Sequence, residues 1–216
     1  MTGNDLEAML FQHMPEKFIE RLLRAVFAAH KVAAEECAAN FKPAETENIA
    51  GLYRRAKLEG FMRDTAGLHP QVRASVVKSK RSNWNHTELS SGPINLTASS
   101  VPQPCDLVEE AEFRSTLARD NQLVLWPEPE DEAPNGAPLY AILLHSKSRS
   151  PQSQPQYRHL PGSAYIAFPL PDLSGYAHDI DLFEKFPQVV DSLLPQEWDN
   201  EAKVRYLYYT RKAAVA

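Results

Sequence analysis

The amino-acid sequence predicts a single α+β domain over residues 1–216. It combines an N-terminal helical pair, a mostly antiparallel sheet of about five strands, and C-terminal helices packed on one face. The chain has 216 residues, of which 43% are hydrophobic, and this is enough to bury one sizeable core. Apolar residues recur every three or four positions in the helical part, residues 1–67, which is typical of helices. The period changes to two in the sheet-containing part, residues 68–216, which is typical of strands.

The N-terminal pair is predicted from this helical period. Residues 16–41 form the clearest helix, because Pro15 stands at its start, where a missing N–H costs nothing. One wide apolar stripe follows, made of Phe18, Ile19, Leu22, Leu23, Val26, Phe27, His30, Ala33 and Cys37. A second helix is expected to begin near Thr46, a residue that favours the N-cap position, and to end between Gly60 and Gly67.

Three strands are predicted next. Residues 71–78 alternate enough for a strand, and residues 83–89 and 94–99 form a hairpin around a Ser-Ser-Gly-Pro turn cluster. With Leu89 opposite Ile94, one side of the hairpin packs and the other is polar and open. The polar side carries Trp84, His86, Glu88, Asn95, Thr97 and Ser99.

The sequence then alternates between buried and exposed segments. Residues 106–122 are expected to form a short acidic helix, and the proline- and acid-rich residues 127–138 a surface linker with nothing to bury. Residues 139–145 and 163–168 are predicted as buried strands. The polar, basic loop between them, residues 146–161, is longer than most connections, and loops of that length tend to be functional or disordered.

Two alternatives are open in the last part of the chain. Residues 172–186 and 187–194 form either one helix broken at Pro187 or two short helices. Residues 204–209 form either a final strand or an aromatic tail that packs on a neighbour.

Charge is segregated along the chain, although the net charge is only −5. Residues 54–81 carry eight basic side chains against two acidic ones, and residues 106–132 carry nine acidic side chains against two basic ones. Such blocks create local potentials that attract oppositely charged partners. The alternative is that the basic and acidic surfaces face each other within the fold or between copies of the chain.

Several classes of protein are excluded. No apolar run approaches the roughly 20 residues that cross a bilayer, and we predict no secretory signal and no membrane partner. The two cysteines, Cys37 and Cys105, are too few for a disulfide framework or a thiolate-only zinc site, so we expect a cytoplasmic protein. The phosphate-binding, dinucleotide-binding and zinc-protease motifs do not occur, and we predict neither a cofactor nor a metal.

Two groups of residues are candidates for a site. His86 and Glu88 point the same way on one strand and are weak candidates for a proton-transfer pair or for two metal ligands. Basic side chains that contact phosphates and an aromatic ring that stacks on bases form the second group. Its members are Arg73, Lys78, Lys80, Arg81, Trp84, Lys147, Arg149 and Arg158.

These features favour a cytosolic, non-enzymatic binding or regulatory protein that acts through a charged surface. Its partner is a protein or a second copy of the chain, with nucleic acid as the favoured non-protein ligand. One alternative is a metal-dependent hydrolase of phosphodiesters that uses His86 and Glu88. Another is a structural, self-assembling subunit.

Overall fold

A computed structural model describes residues 1–78, 84–104, 106–125, 137–148, 159–198 and 200–212. Thirteen helices and strands lie in these residues. In chain order they are α1 (Gly3–His13), α2 (Glu16–Asn40), α3 (Pro43–Gly67), β1 (Arg73–Lys78), β2 (Asn85–Ser91), β3 (Ile94–Ser100), α4 (Glu112–Leu125), β4 (Leu139–Lys147), β5 (Pro161–Pro169), β6 (Tyr176–Asp181), α5 (Leu182–Lys185), α6 (Pro187–Leu193) and α7 (Asn200–Lys212). The described helices include none that is long and apolar enough to cross a membrane.

The six strands form one sheet in the order in which they occur in the chain, β1 to β6. Strands β3 and β4 pair in parallel, with α4 between them in the chain, and the other four pairings are antiparallel. The α+β class, the N-terminal helices and the mostly antiparallel sheet are therefore confirmed, with six strands where about five were expected.

The two faces of the sheet are covered unequally. Residues on one face, including Leu89, Leu96 and Ile166, share a hydrophobic cluster with α1–α3 and with the C-terminal helices. On the other face, residues such as Ile142 form a smaller cluster with Ala118 of α4. The C-terminal helices thus pack on one face, as predicted.

The strand directions also define two ends of the sheet. The carboxyl ends of β1, β3 and β4 and the amino ends of β2 and β5 lie together, and we call this the crevice end. The opposite end contains the β2–β3 turn at Gly92 and Pro93, and we call it the turn end.

The hairpin faces are as predicted, but the register and the exposure differ. Leu89 pairs with Leu96, and Ser91 rather than Leu89 faces Ile94, because the turn contains two residues instead of four. A shift of two residues on one strand leaves every side chain on its predicted face. The polar side was expected to be open, and this is wrong: α4 packs over it and buries His86 and Thr97.

The N-terminal helix α1 was not predicted. The Thr2 side chain accepts from the Asp5 backbone N–H, and the Asp5 carboxylate accepts from the Thr2 backbone N–H, which is a capping box. Leu6 and Leu10 then bury one face of the helix. The acidic helix predicted over residues 106–122 begins later than expected, because α4 begins only at Glu112.

Two predictions for the last part of the chain are wrong. The segment 172–186 was expected to be helical, but Tyr176–Asp181 is the edge strand β6, in which Ile180 is buried and Asp181 caps α5. Residues 204–209 were expected to form a strand or a tail, but they belong to α7, where Tyr206 is buried and donates a hydrogen bond to the Pro161 carbonyl. Tertiary packing overrides the strand preference of the aromatic run. The predicted linker 127–138 lies outside the described residues except for its last two.

Candidate functional site

A crevice of about 290 Å³ opens at the crevice end of the sheet. It lies between α3 on one side and the start of α4 on the other. Its lining consists of Gly51, Arg55, Leu58, Glu59, Ala98, Ser99, Ser100, Glu109, Arg114 and His145. The carboxyl ends of the parallel pair β3 and β4 form its floor, which is where open sheets with helices on both faces usually bind ligands.

Arg114 is the most unusual side chain of this crevice. Its Nη1 donates to the Glu109 carbonyl at 2.8 Å and its Nη2 donates to Ser99 Oγ at 3.1 Å, while its buried Nε has no hydrogen-bond partner. The residue is only 9% exposed, and it forms no ion pair within the described part of the chain. Burial lowers the pKa of Arg114, yet a guanidinium stays protonated at neutral pH. The crevice therefore contains a largely buried positive charge that forms no direct ion pair in the described residues, and the exposed Glu109 carboxylate of the lining acts on it only at longer range.

The α3 wall carries a second arginine. Arg55 Nε lies 3.9 Å from Glu59 Oε1, and the Arg55 guanidinium carbon lies 5.6 Å from the centre of the Trp84 ring. Glu59 also accepts a hydrogen bond from the backbone N–H of Thr87. The Glu59 carboxylate is therefore engaged in holding α3 against β2, and it is not available to Arg114.

A pair of buried histidines lies at the inner side of the crevice, and one of them, His145, belongs to its lining. His30 Nε2 on α2 and His145 Nδ1 on β4 are 3.1 Å apart. Burial first, and the charge of Arg54 second, lower the pKa of His145 to about 4. Burial, with contributions from His145 and Arg54, also lowers the pKa of His30 well below its ordinary value. Both imidazoles are neutral at pH 7, so the positive charge around the crevice comes from arginines.

Three residues predicted to contact nucleic acid lie at the crevice end. Lys78 ends β1 and pairs with Asn85, next to the half-exposed Trp84. Lys147 is exposed at the end of β4, two residues beyond His145. We call Lys78, Trp84 and Lys147 the crevice-end trio.

Of the other five predicted residues, the structure describes only Arg73. Arg73 begins β1 and pairs with Ser90, so it lies at the turn end. Lys80, Arg81, Arg149 and Arg158 lie outside the described residues.

His86 and Glu88 do form a pair, with 2.9 Å between His86 Nε2 and Glu88 Oε1. The His86 side chain is only 3% exposed, and its ring stacks on Phe113 of α4 with 3.8 Å between centroids. An imidazole in this position is held as part of the packing between β2 and α4. Across the described ranges, no group of three or more His, Cys, Asp or Glu residues could hold a metal ion.

Sequence reasoning missed Arg55 and Arg114 as site residues. Arg55 is one of eight cations in the basic block 54–81, and Arg114 is one of only two cations in the acidic block 106–132. A cation isolated among acids is a weak signal, and it usually indicates a surface ion pair. Nothing local indicates that this one is buried without a carboxylate.

Comparison of the chain with protein-family profiles, with curated proteins and with solved structures finds no significant match.

Proposed function

We propose that this chain is a cytosolic, non-enzymatic protein that binds single-stranded nucleic acid across the crevice end of its sheet. The observation that carries the proposal is that strand direction brings Lys78, Trp84 and Lys147 to the end where Arg55 and Arg114 line a crevice.

Charge supports an anionic ligand. Within the described residues, neither Lys78 nor Lys147 forms an ion pair. In the predicted alternative, basic and acidic surfaces face each other within the fold or between copies of the chain. Lys57 has such a partner within the fold, because its Nζ lies 2.6 Å from Glu36 Oε1. The two lysines at the crevice end have no such ion pair among the described residues. Cations that remain exposed and unpaired are available to phosphates.

The aromatic side chain favours single strands over a duplex. Trp84 is 52% exposed at the start of β2. An exposed ring flanked by basic side chains stacks on an unpaired base, whereas the bases of a duplex are stacked on each other. The strands β1 and β4 are three strand spacings apart, about 14 Å, so Lys78 and Lys147 would contact different phosphates of one strand.

Self-assembly is less well supported. The edge strand β1 is exposed along most of its length, and its Val76 is 55% exposed. Antiparallel pairing of two β1 strands about their centre, however, would place Arg73 opposite Lys78 of the second copy. Like charges directly opposite each other are destabilising, and edge cations are a common way to prevent such pairing.

The metal-dependent hydrolase is also less well supported. Of its two predicted residues, His86 is buried under Phe113. If it nevertheless operates, labelled oligonucleotide incubated with Mg²⁺ will be cleaved by the wild type and left intact by Glu88→Ala.

The test is fluorescence anisotropy with a labelled 15-nucleotide single strand at several salt concentrations. We expect affinity to fall as salt rises, with a slope that reports the number of phosphates contacted. Lys78→Glu and Lys147→Glu should each weaken binding about fivefold or more and reduce the salt slope. Trp84→Ala should weaken binding about tenfold with little change in that slope.

Arg73→Glu is the matched control, because Arg73 and Lys78 are both exposed and lie on the same strand, at opposite ends. This variant should bind within about twofold of the wild type. Binding that does not depend on salt, or an equal loss in Arg73→Glu and Lys78→Glu, would contradict the proposal.

A further inference from the structure

We infer that the crevice is a subsite for a phosphate monoester, namely the terminal phosphate of the strand that the crevice-end trio binds. The identity of that strand as nucleic acid rests on the proposed function. The phosphate chemistry rests on separate observations of the crevice itself.

The first observation is the unpaired charge of Arg114. A buried cation without a counterion is costly for the folded state, and proteins normally pair such groups. Arg114 lines the crevice, its Nε has no partner, and its two described hydrogen bonds go to neutral oxygen atoms. An anion in the crevice would give Arg114 the direct ion pair that the described carboxylates do not provide.

The second observation is the set of donors. Ser99 Oγ accepts from Arg114, so its own O–H is free to donate into the crevice. Ser100 is exposed at the end of β3, and Arg55 adds a second guanidinium from the opposite wall. Two guanidinium groups and two hydroxyls offer more hydrogen-bond donors than a carboxylate ligand, with its two oxygen atoms, would use. They suit a phosphate monoester, which presents three strong acceptor oxygens.

Charge favours a monoester over a diester. A monoester carries about −1.5 to −2 at pH 7, and the phosphodiester within a strand carries one negative charge. Around the crevice, Arg54 and Arg114 form no ion pair with a described carboxylate. Glu59 is engaged by Thr87 and Arg55, and Glu109 is exposed, so water and salt screen its repulsion.

Size favours the end of a strand. The volume of about 290 Å³ is at the lower limit for small-ligand sites. A phosphate and its attached sugar fit such a volume, whereas a continuous strand needs a path in and a path out. The crevice would therefore hold the end of the strand, and the exposed trio would hold the nucleotides that follow.

The experiment compares one oligonucleotide sequence with a 5′-phosphate, with a 3′-phosphate and with hydroxyls at both ends. Wild-type protein should bind one of the phosphorylated strands about tenfold more tightly than the hydroxyl strand. Arg114→Gln should abolish this preference, so that the phosphorylated and the hydroxyl strands bind the variant within about twofold of each other. Arg119→Gln, an exposed arginine on the same helix, should keep the full preference.

Ser99→Ala provides a second variant, because it removes a donor to the phosphate without changing charge. It should reduce the preference several-fold even if Arg114→Gln fails to fold. Equal affinity of wild-type protein for all three strands would overturn the inference and leave the proposed function intact.

A second experiment identifies the opposite case, in which the phosphate subsite exists but the chain binds no nucleic acid. Thermal unfolding is measured with inorganic phosphate, with a nucleoside monophosphate and with chloride at matched ionic strength. If both phosphates raise Tm in wild type and raise it less in Ser99→Ala, while no oligonucleotide binds, the subsite is correct for a free phosphate monoester and the proposed function is wrong. If neither phosphate raises Tm and no strand binds, both are wrong.

Discussion

The two ends of the sheet are built from different kinds of contact. At the turn end, neutral groups satisfy one another: Ser91 Oγ donates to the His13 carbonyl at 2.6 Å, and Asn121 bonds to Tyr140 and Pro169. At the crevice end, Arg114 is buried with no ion pair in the described residues, its Nε has no hydrogen-bond partner, and two histidines are buried close to Arg54. Satisfied polar groups stabilise a fold, whereas unsatisfied ones are usually kept for a function. The comparison predicts that the turn end is sensitive to shape and hydrogen bonding, and the crevice end to charge and pH.

The largest expected effect is at the turn end, on replacing Asn121. This fully buried side chain donates to the carbonyls of Tyr140 and Pro169 and accepts from the Tyr140 N–H at 2.7 Å, so it fastens α4 to β4 and β5. Asn121→Ala should lower the free energy of unfolding by about 3–4 kcal/mol, because it leaves buried backbone groups without partners. Urea unfolding followed by circular dichroism measures this loss.

The neighbouring Gln122 gives a matched control, since it is an exposed amide on the same helix. Gln122→Ala should change stability by no more than about 0.5 kcal/mol. Similar losses at both positions would show that helix α4, and not the Asn121 contacts, accounts for the effect.

The crevice end should respond to acid. The pKa of His145 is about 4 in the folded chain and about 6.5 in the unfolded chain, so the unfolded chain binds the proton more readily. Stability should be constant above about pH 6.5 and fall as the pH drops, by about 2 kcal/mol at pH 5 and about 3 kcal/mol near pH 4. His30, whose pKa is also lowered, contributes in the same direction. Urea midpoints measured between pH 7.5 and 4.5 test this.

Because carboxylates titrate in the lower part of that range, the informative quantity is a difference between variants. His145→Gln should unfold with a smaller acid-dependent loss than the wild type, whatever its stability at pH 7.5. Identical pH profiles for wild type and His145→Gln would show that the histidine pair does not couple folding to pH.

The difference between the two ends also explains what the sequence could predict. Strand faces follow from alternation, which is local, and the residues around Leu89 and Leu96 were therefore assigned to the correct faces. The capping box at Thr2 and Asp5 is local as well, and a search for that pattern would have found α1.

The crevice could not be predicted in this way. Arg55 and Arg114 are far apart in the chain, and they meet only because β3 and β4 pair in parallel with α4 between them. Neither residue carries a local signal of burial, since arginine is usually exposed. His145 ends the predicted strand 139–145, but its partner His30 belongs to a helix 115 residues earlier in the chain.

The smallest of these effects is expected on replacing Gly92 in the β2–β3 turn. This replacement separates the cost of backbone strain from the cost of a contact with the His13 ring. Gly92 has a φ of +55°, which side-chain-bearing residues rarely adopt, and a Cβ there would contact the His13 ring. Gly92→Ala should cost about 2 kcal/mol in the wild-type background and about 1 kcal/mol in a His13→Ala background, where only the backbone cost remains. Gly67→Ala serves as the control, because a Cβ at the end of α3 meets nothing within 4 Å, and it should be neutral or slightly stabilising. Equal losses in the two backgrounds would mean that the His13 ring moves aside freely. The turn end would then be less sensitive to shape than its contacts indicate.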